Sequence, residues 1–169
     1  MRLLFFHEST FLRNFRLNLY FIYLTQKSQN VIYPIMSSMS GLYQGALRTQ
    51  ATHIRSGNTI ITDAPPDNNG KGEAFSPTDL VCAALSSCMM TLMGMLAERE
   101  NINLEGLRSE VVKVMASNPR KIAEIQITFA HPNLVATEVQ RKKLKQAALT
   151  CPVALSLSDS VKQVIAFDW

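Results

Sequence analysis

The stretch SPTDLVCAALSSCMMTLMGMLAERE, residues 76–100, restricts what this chain can become more than any other part of it. Ser76 suits a helix N-cap, Pro77 the first helical position and Asp79 the third, so free N–H groups and the helix dipole are both complemented. From there to about Arg99 the sequence predicts one long helix, apolar on nearly every side. Ala83, Ala84, Ser86 and Ser87 are small enough to let another backbone come close. A helix without a polar face has to be covered all round.

The covering elements are few. LYQGALRTQATHI reads as one irregular strand, and RSGN as a turn in which Ser-Gly-Asn accepts positive φ at low cost. TIITDAP then completes a hairpin. GLRSEVVKVMAS predicts a strand and NPR a turn. KIAEIQITFA predicts a strand with Ala123, Ile125, Ile127 and Phe129 on one face and Glu124, Gln126 and Thr128 on the other. ATEVQRKKLKQAALT is an amphipathic helix. CPVALSLS starts a helical turn with Cys151 near its cap and Pro152 first inside, and VKQVIAFDW closes as a strand. Strands and helices in this order define an α+β fold rather than alternating βαβ units. For a domain over residues 41–169 that is a thin coat around the long helix. A dimer in which two such helices pack together inside shared sheets removes the difficulty.

Residues 1–40 lack the periodicity of the rest and are expected to be an extension the domain does not need, with Met36 and Met39 as alternative starts. They hold Arg2, Arg13, Arg16 and Lys27 against Glu8, so they carry net +3 of the chain's +4. The remainder is nearly neutral, which argues against a nucleic-acid partner. RKKLK at 141–145 fits a solvated helix face. LNLYFIYL falls well short of the roughly 20 residues that cross a bilayer, and no small-residue cleavage site follows it. Neither membrane insertion nor export is expected. GKG lacks the spacing of a phosphate-binding loop.

Three cysteines are too few for a disulfide scaffold. There is no C-x-x-C, and His7, His53 and His131 are scattered, so no metal site is expected and a reducing, cytoplasmic compartment fits best. Cys82 and Cys88 share the long helix but point about 240° apart. Cys82 reads as a small packing residue. Cys88 reads either as a buried hydrophobe or as a chemical thiol. Cys151 precedes Pro152 at a helix N-terminus, where the dipole favours a thiolate. Cys88 and Cys151 fit a pair in which one thiol attacks a peroxide and the other resolves the sulfenic acid. Spacing alone does not establish it, since nothing local brings together two residues 63 apart. A serine hydrolase on Ser86 or Ser87 lacks both G-x-S-x-G and a suitable histidine.

SPTDLVCAALSSCMM followed at this distance by CPVALSL resembles the OsmC and organic hydroperoxide resistance family, in its less characterised OsmC-like branch. The likeness runs over roughly residues 42–169. It implies an intertwined α+β homodimer with the cysteine helices at its centre and antiparallel sheets around them. It also implies reduction of organic hydroperoxides without a bound cofactor, with a dithiol or a lipoyl-bearing protein as reductant. By the resemblance Cys88 is the attacking thiol and Cys151 the resolving one, and Arg55 beside the RSGN turn stands where an arginine orients the peroxide. One position departs from the pattern. Ten residues before Cys88, where a glutamate would hold that arginine, this chain has Thr78. The departure motivates an alternative, a non-catalytic ligand-binding or stress-related dimer on the same fold.

Overall fold

In the computed structural model the described residues are 37–169. Most of the expected extension, residues 1–36, lies outside them. The described residues form two three-stranded sheets, both opened by hairpins, and the long helix packs against the second of them. The first contains β1 (Met39–Gly45), β2 (Arg48–His53) and β3 (Thr59–Asp63) in that order, all antiparallel. The second contains β4 (Arg108–Ser117), β5 (Arg120–Ala130) and β6 (Lys162–Asp168). β4 and β5 are antiparallel, whereas β6 joins the far side of β5 in parallel.

The segment expected to be one irregular strand is two strands. The chain reverses at Gly45, Ala46 and Leu47, whose φ values are 87°, 49° and 61°. Glycine adopts that region freely, but alanine and leucine do so at a cost, so composition gave no warning of a turn there. The later turn lies where RSGN placed it, between His53 and Thr59.

The long helix, α1 (Pro77–Glu100), begins and ends as its sequence implies. The Ser76 hydroxyl accepts from the Asp79 backbone N–H at 3.2 Å, and the Asp79 carboxylate accepts from the Ser76 backbone N–H at 2.8 Å, a reciprocal capping box. Asn101 in the left-handed conformation stops it. Leu85, Met89 and Met93 are fully buried along one side, packed with Ile125, Ile127 and Phe129 of β5 and with Leu144 and Ala148. Burying each such side chain stabilises the fold by roughly 1.5–3 kcal/mol. The helix is not covered all round by the described residues: Ala84, Ser87, Thr91 and Met95 form an exposed stripe.

α2 (Glu138–Leu149) is capped by Thr137 and Gln140 in the same reciprocal way and is tied to the end of α1 by the Lys143–Glu100 ion pair. Leu144 and Ala148, four residues apart on one helix face, supply its buried side. Next comes the single turn α3 (Pro152–Ser156), with Cys151 as its N-cap.

Candidate active site

The long helix carries Cys88 and the turn after α2 carries Cys151, and α1 and α3 lie in contact. The Cys151 sulfur is fully buried and accepts a hydrogen bond from the Ala154 backbone N–H at 3.2 Å. Burial pushes the Cys151 thiol up from its ordinary value. The Ala154 N–H opposes that, and the adjoining Cys88 side chain pushes it further up. The sequence alone favoured a thiolate at Cys151, because it sits at a helix N-terminus. The structure reverses the direction: a five-residue helix offers little dipole, and loss of water outweighs it. Cys88 is half-buried, beside the exposed stripe of α1, and packs against the core. All three cysteines are free thiols; Cys88 is close enough to act on the Cys151 thiol, but the two are not at disulfide distance.

Cys82 is buried in the core, where its small side chain belongs by the sequence reading. Desolvation raises its thiol, only partly opposed by the nearby Lys113 ammonium.

Position 78 has a partner that the sequence did not disclose. Lys113 projects from β4 toward the start of α1 and donates to Thr78 Oγ1 at 2.8 Å, to Ser76 Oγ at 3.1 Å and to Asp79. Burial raises the Asp79 carboxyl, but the bonds from Lys113 and Ser76 outweigh it and hold it below the usual carboxylate range. Lys113 lies on the same face of the second sheet as Val111, within an otherwise apolar segment. Nothing in VVKVM marks it as the ion that would close this helix terminus.

The two arginines of the first sheet differ sharply. Arg55 stands at the exposed tip of the β2–β3 turn, which is fixed around it by a 2.9 Å bond from the Gly57 N–H to the His53 carbonyl and by a 2.7 Å His53–Ser56 contact. Arg55 has no ion pair or hydrogen bond to another of the described residues. Arg48, at the start of β2, grips Asp63 with two bonds of 2.7 Å and Glu73 with a third of 2.7 Å. The Arg48 bond holds the buried Asp63 carboxyl below its ordinary range. Bidentate geometry of this kind fixes a guanidinium in place. The signal available in the sequence was the β2–β3 register, which sets Arg48 opposite Asp63 once the Gly45 turn is known. A pocket of about 360 Å³ opens beside this cluster, between Tyr43 and Leu47 of the first sheet, Pro77 and Thr78 of α1, and Met115 of β4.

The candidate site is thus two thiols of unequal burial, one on the long helix and one at the cap of α3, within an α+β frame. The chain belongs to the OsmC-like protein family, whose pattern it matches over residues 70–165. Among solved structures it is similar to an osmotic stress induced and detoxification response protein from Psychrobacter arcticus, at 44% identity over 81% of this chain and 99% of that one, with a TM-score of 0.76. It is also similar in fold to an organic hydroperoxide resistance protein OsmC from Legionella pneumophila, at 16% identity, 83% and 100% coverage and a TM-score of 0.58. An organic hydroperoxide resistance protein from Vibrio cholerae shares the fold at 14% identity, 84% and 96% coverage and a TM-score of 0.61. No curated protein matches the chain.

Proposed function

We propose that this protein is a thiol-dependent peroxidase that reduces organic hydroperoxides through Cys88 and Cys151. The observation that carries the reading is the adjacency of the two free thiols with unequal burial. The Cys88 thiolate attacks the distal oxygen of the hydroperoxide, the O–O bond breaks, and the alkoxide leaves as an alcohol after taking a proton. Cys88 is then a sulfenic acid. The Cys151 thiol condenses with it, forming the disulfide and releasing water. A small dithiol or a lipoyl-bearing protein returns both thiols in a reducing, cytoplasmic setting. The buried, raised Cys151 suits the second role, since a thiol that stays protonated does not compete for the peroxide. No cofactor enters these steps.

The active form in this reading is a homodimer. The exposed stripe of Ala84, Ser87, Thr91 and Met95 is narrow enough for a second α1 to approach, and it runs past Cys88. The first sheet exposes Leu42, Tyr43, Ile60 and Ile61, with apolar groups on both of its faces. A second copy covers both and brings an arginine toward Cys88. The family resemblance gives that role to Arg55; the fixed geometry around Arg48 makes it the competitor. In this reading Thr78 is compatible with activity, and its bond from Lys113 helps to hold the start of α1 without a glutamate.

Steady-state consumption of tert-butyl hydroperoxide with dithiothreitol tests the proposal. Wild type should turn over, Cys88→Ser should fall to background, and Cys151→Ser should give one turnover and stop. Of Arg48→Ala and Arg55→Ala, the one acting on the thiolate should lose about tenfold or more in rate. Thr78→Glu should stay within about twofold of wild type, its new carboxylate pairing first with Lys113. A wild type without activity, or a Cys88→Ser variant with full activity, removes the enzyme reading.

A further inference from the structure

The register of the first sheet sets Tyr43 opposite Thr49 and Thr49 opposite Thr62, so three hydroxyl side chains form one row across β1, β2 and β3. Successive side chains of a strand point to opposite faces, which puts this row on the face away from Arg48 and Asp63. All three residues line the pocket of about 360 Å³ between the first sheet, α1 and β4. Its other walls are largely apolar: Leu47 of the first turn, Ala64 and Pro65 after β3, Pro77 of α1 and Met115 of β4.

The hydroxyl row has hydrogens to spare. Thr62 is only 6% exposed, and its side chain has one partner among the described residues, Thr49, at 2.6 Å between the oxygens. Two hydroxyls bring two hydrogens, and the bond between them uses one. The other finds no acceptor among the described residues. Tyr43 is in the same state: its oxygen accepts from the Leu47 N–H at 3.2 Å, and its own hydrogen has no acceptor among them. Asn68 adds an amide with further donors.

The one charged residue in the lining is Arg120, at the start of β5. One of its five N–H donors goes to Asp67 at 3.0 Å, in a pair exposed on both sides. Exposed pairs of this kind are weak, so a ligand can take the guanidinium over. An apolar pocket with a few convergent polar groups is the usual form of a small-molecule site. Here the groups left over are O–H and N–H donors, with a single positive charge.

We propose that this pocket binds a small organic monocarboxylate with a compact apolar body. Arg120 and the spare hydroxyl hydrogens take the carboxylate, and the body lies against Leu47, Pro65, Pro77 and Met115. A hydrocarbon would leave the donors unmet, a cation would face Arg120, and a bare inorganic anion would gain nothing from the apolar walls. The proposal does not rest on the peroxidase reading: neither Cys88 nor Cys151 lines this pocket, and binding is measured without turnover.

The test is NMR titration of backbone amides in the full chain. The probes are hexanoate, benzoate, phenylacetate and 3-phenylpropanoate, the primary amide of each, which keeps the shape and lacks the charge, and acetate, which lacks the body. At least one of the four acids should give saturable shifts confined to residues 43–49, 62–68, 76–78 and 115–120. Its amide and acetate should each bind about tenfold or more weakly. Arg120→Ala should make acid and amide bind alike, and Arg120→Lys should recover part of the preference. Arg120 is largely exposed, so both variants should keep the wild-type spectrum elsewhere. No saturable shift with any of the four acids up to about 10 mM, an amide that binds as well as its acid, or an undiminished preference in Arg120→Ala would overturn the proposal.

Discussion

The two sheets of this domain have the same number of strands and opposite relations to the core. The inner face of β4–β5–β6 is filled: Ile125, Ile127 and Phe129 are fully buried against α1, and the Phe129 and Phe167 rings stack at 5.6 Å between centroids. In β1–β2–β3 the large apolar side chains remain in water. Leu42 is 61% exposed, Tyr43 62%, Ile60 46% and Ile61 44%. The first sheet is held instead by polar geometry, through Arg48, Asp63 and Glu73 and through backbone bonds to the loop before α1. One sheet is stabilised by its own chain. The other carries apolar residues suited to a surface that the described residues do not supply.

The comparison can be broken most severely in the second sheet. Phe129→Ala removes a fully buried ring from this well-filled layer and should cost about 3–5 kcal/mol, read as a lower midpoint in urea denaturation. A loss below about 1 kcal/mol would show that the layer is loosely packed.

In the first sheet the expected loss is one of association. Leu42→Glu or Ile61→Glu places a charge on a face assigned to a second copy, and should weaken dimerisation by about 100-fold in sedimentation while leaving the monomer's circular dichroism unchanged. An unaltered association constant would detach that sheet from the interface.

The junction between sheet and helix is tested by Lys113→Met, which should cost about 1 kcal/mol, because Asp79 remains partly open to water. The pH dependence gives the sign. The folded Asp79 pKa lies below its ordinary 3.8, so its contribution is complete above that pH and is lost as pH falls through the folded value. Wild type should therefore lose stability on acidification below about pH 4 more steeply than Lys113→Met, whose Asp79 lacks the ammonium.

The smallest effect belongs to the link between the two regions. Arg120 reaches Asp67 at 3.0 Å, but both side chains are largely exposed, and Arg120→Ala should change stability by no more than about 0.5 kcal/mol. A larger change would mean that the regions are coupled within one chain more tightly than their packing indicates.

Much of the filled region was legible in the sequence. Ser76, Pro77 and Asp79 mark the start of α1 to the residue, the alternation of Ile125, Ile127 and Phe129 gives the buried face of β5, and Pro152 after Cys151 marks the cap of α3. These are local rules acting over a few residues. What escaped depends on chain reversal and on distant partners. The turn at Ala46 and Leu47 uses a backbone region those residues rarely adopt, so β1 and β2 merged into one strand. With that turn hidden, Arg48 could not be set opposite Asp63, and Arg55 remained the arginine beside the visible turn of the first hairpin. Lys113 lies 34 residues from Asp79, and no periodicity predicts that they meet. The Cys151 thiol was misjudged for a related reason, because a helix terminus is a local feature whereas burial belongs to the assembled domain.

The central claim is that Cys88 and Cys151 act as one redox unit and that Cys82 stands outside it. The most direct measurement is peptide mapping after the reduced protein has reacted with a single equivalent of an alkyl hydroperoxide. The account predicts one disulfide, Cys88 to Cys151, with Cys82 recovered as a free thiol. A disulfide containing Cys82 as the main product, or Cys88 and Cys151 both recovered unmodified after the peroxide has been consumed, would contradict it.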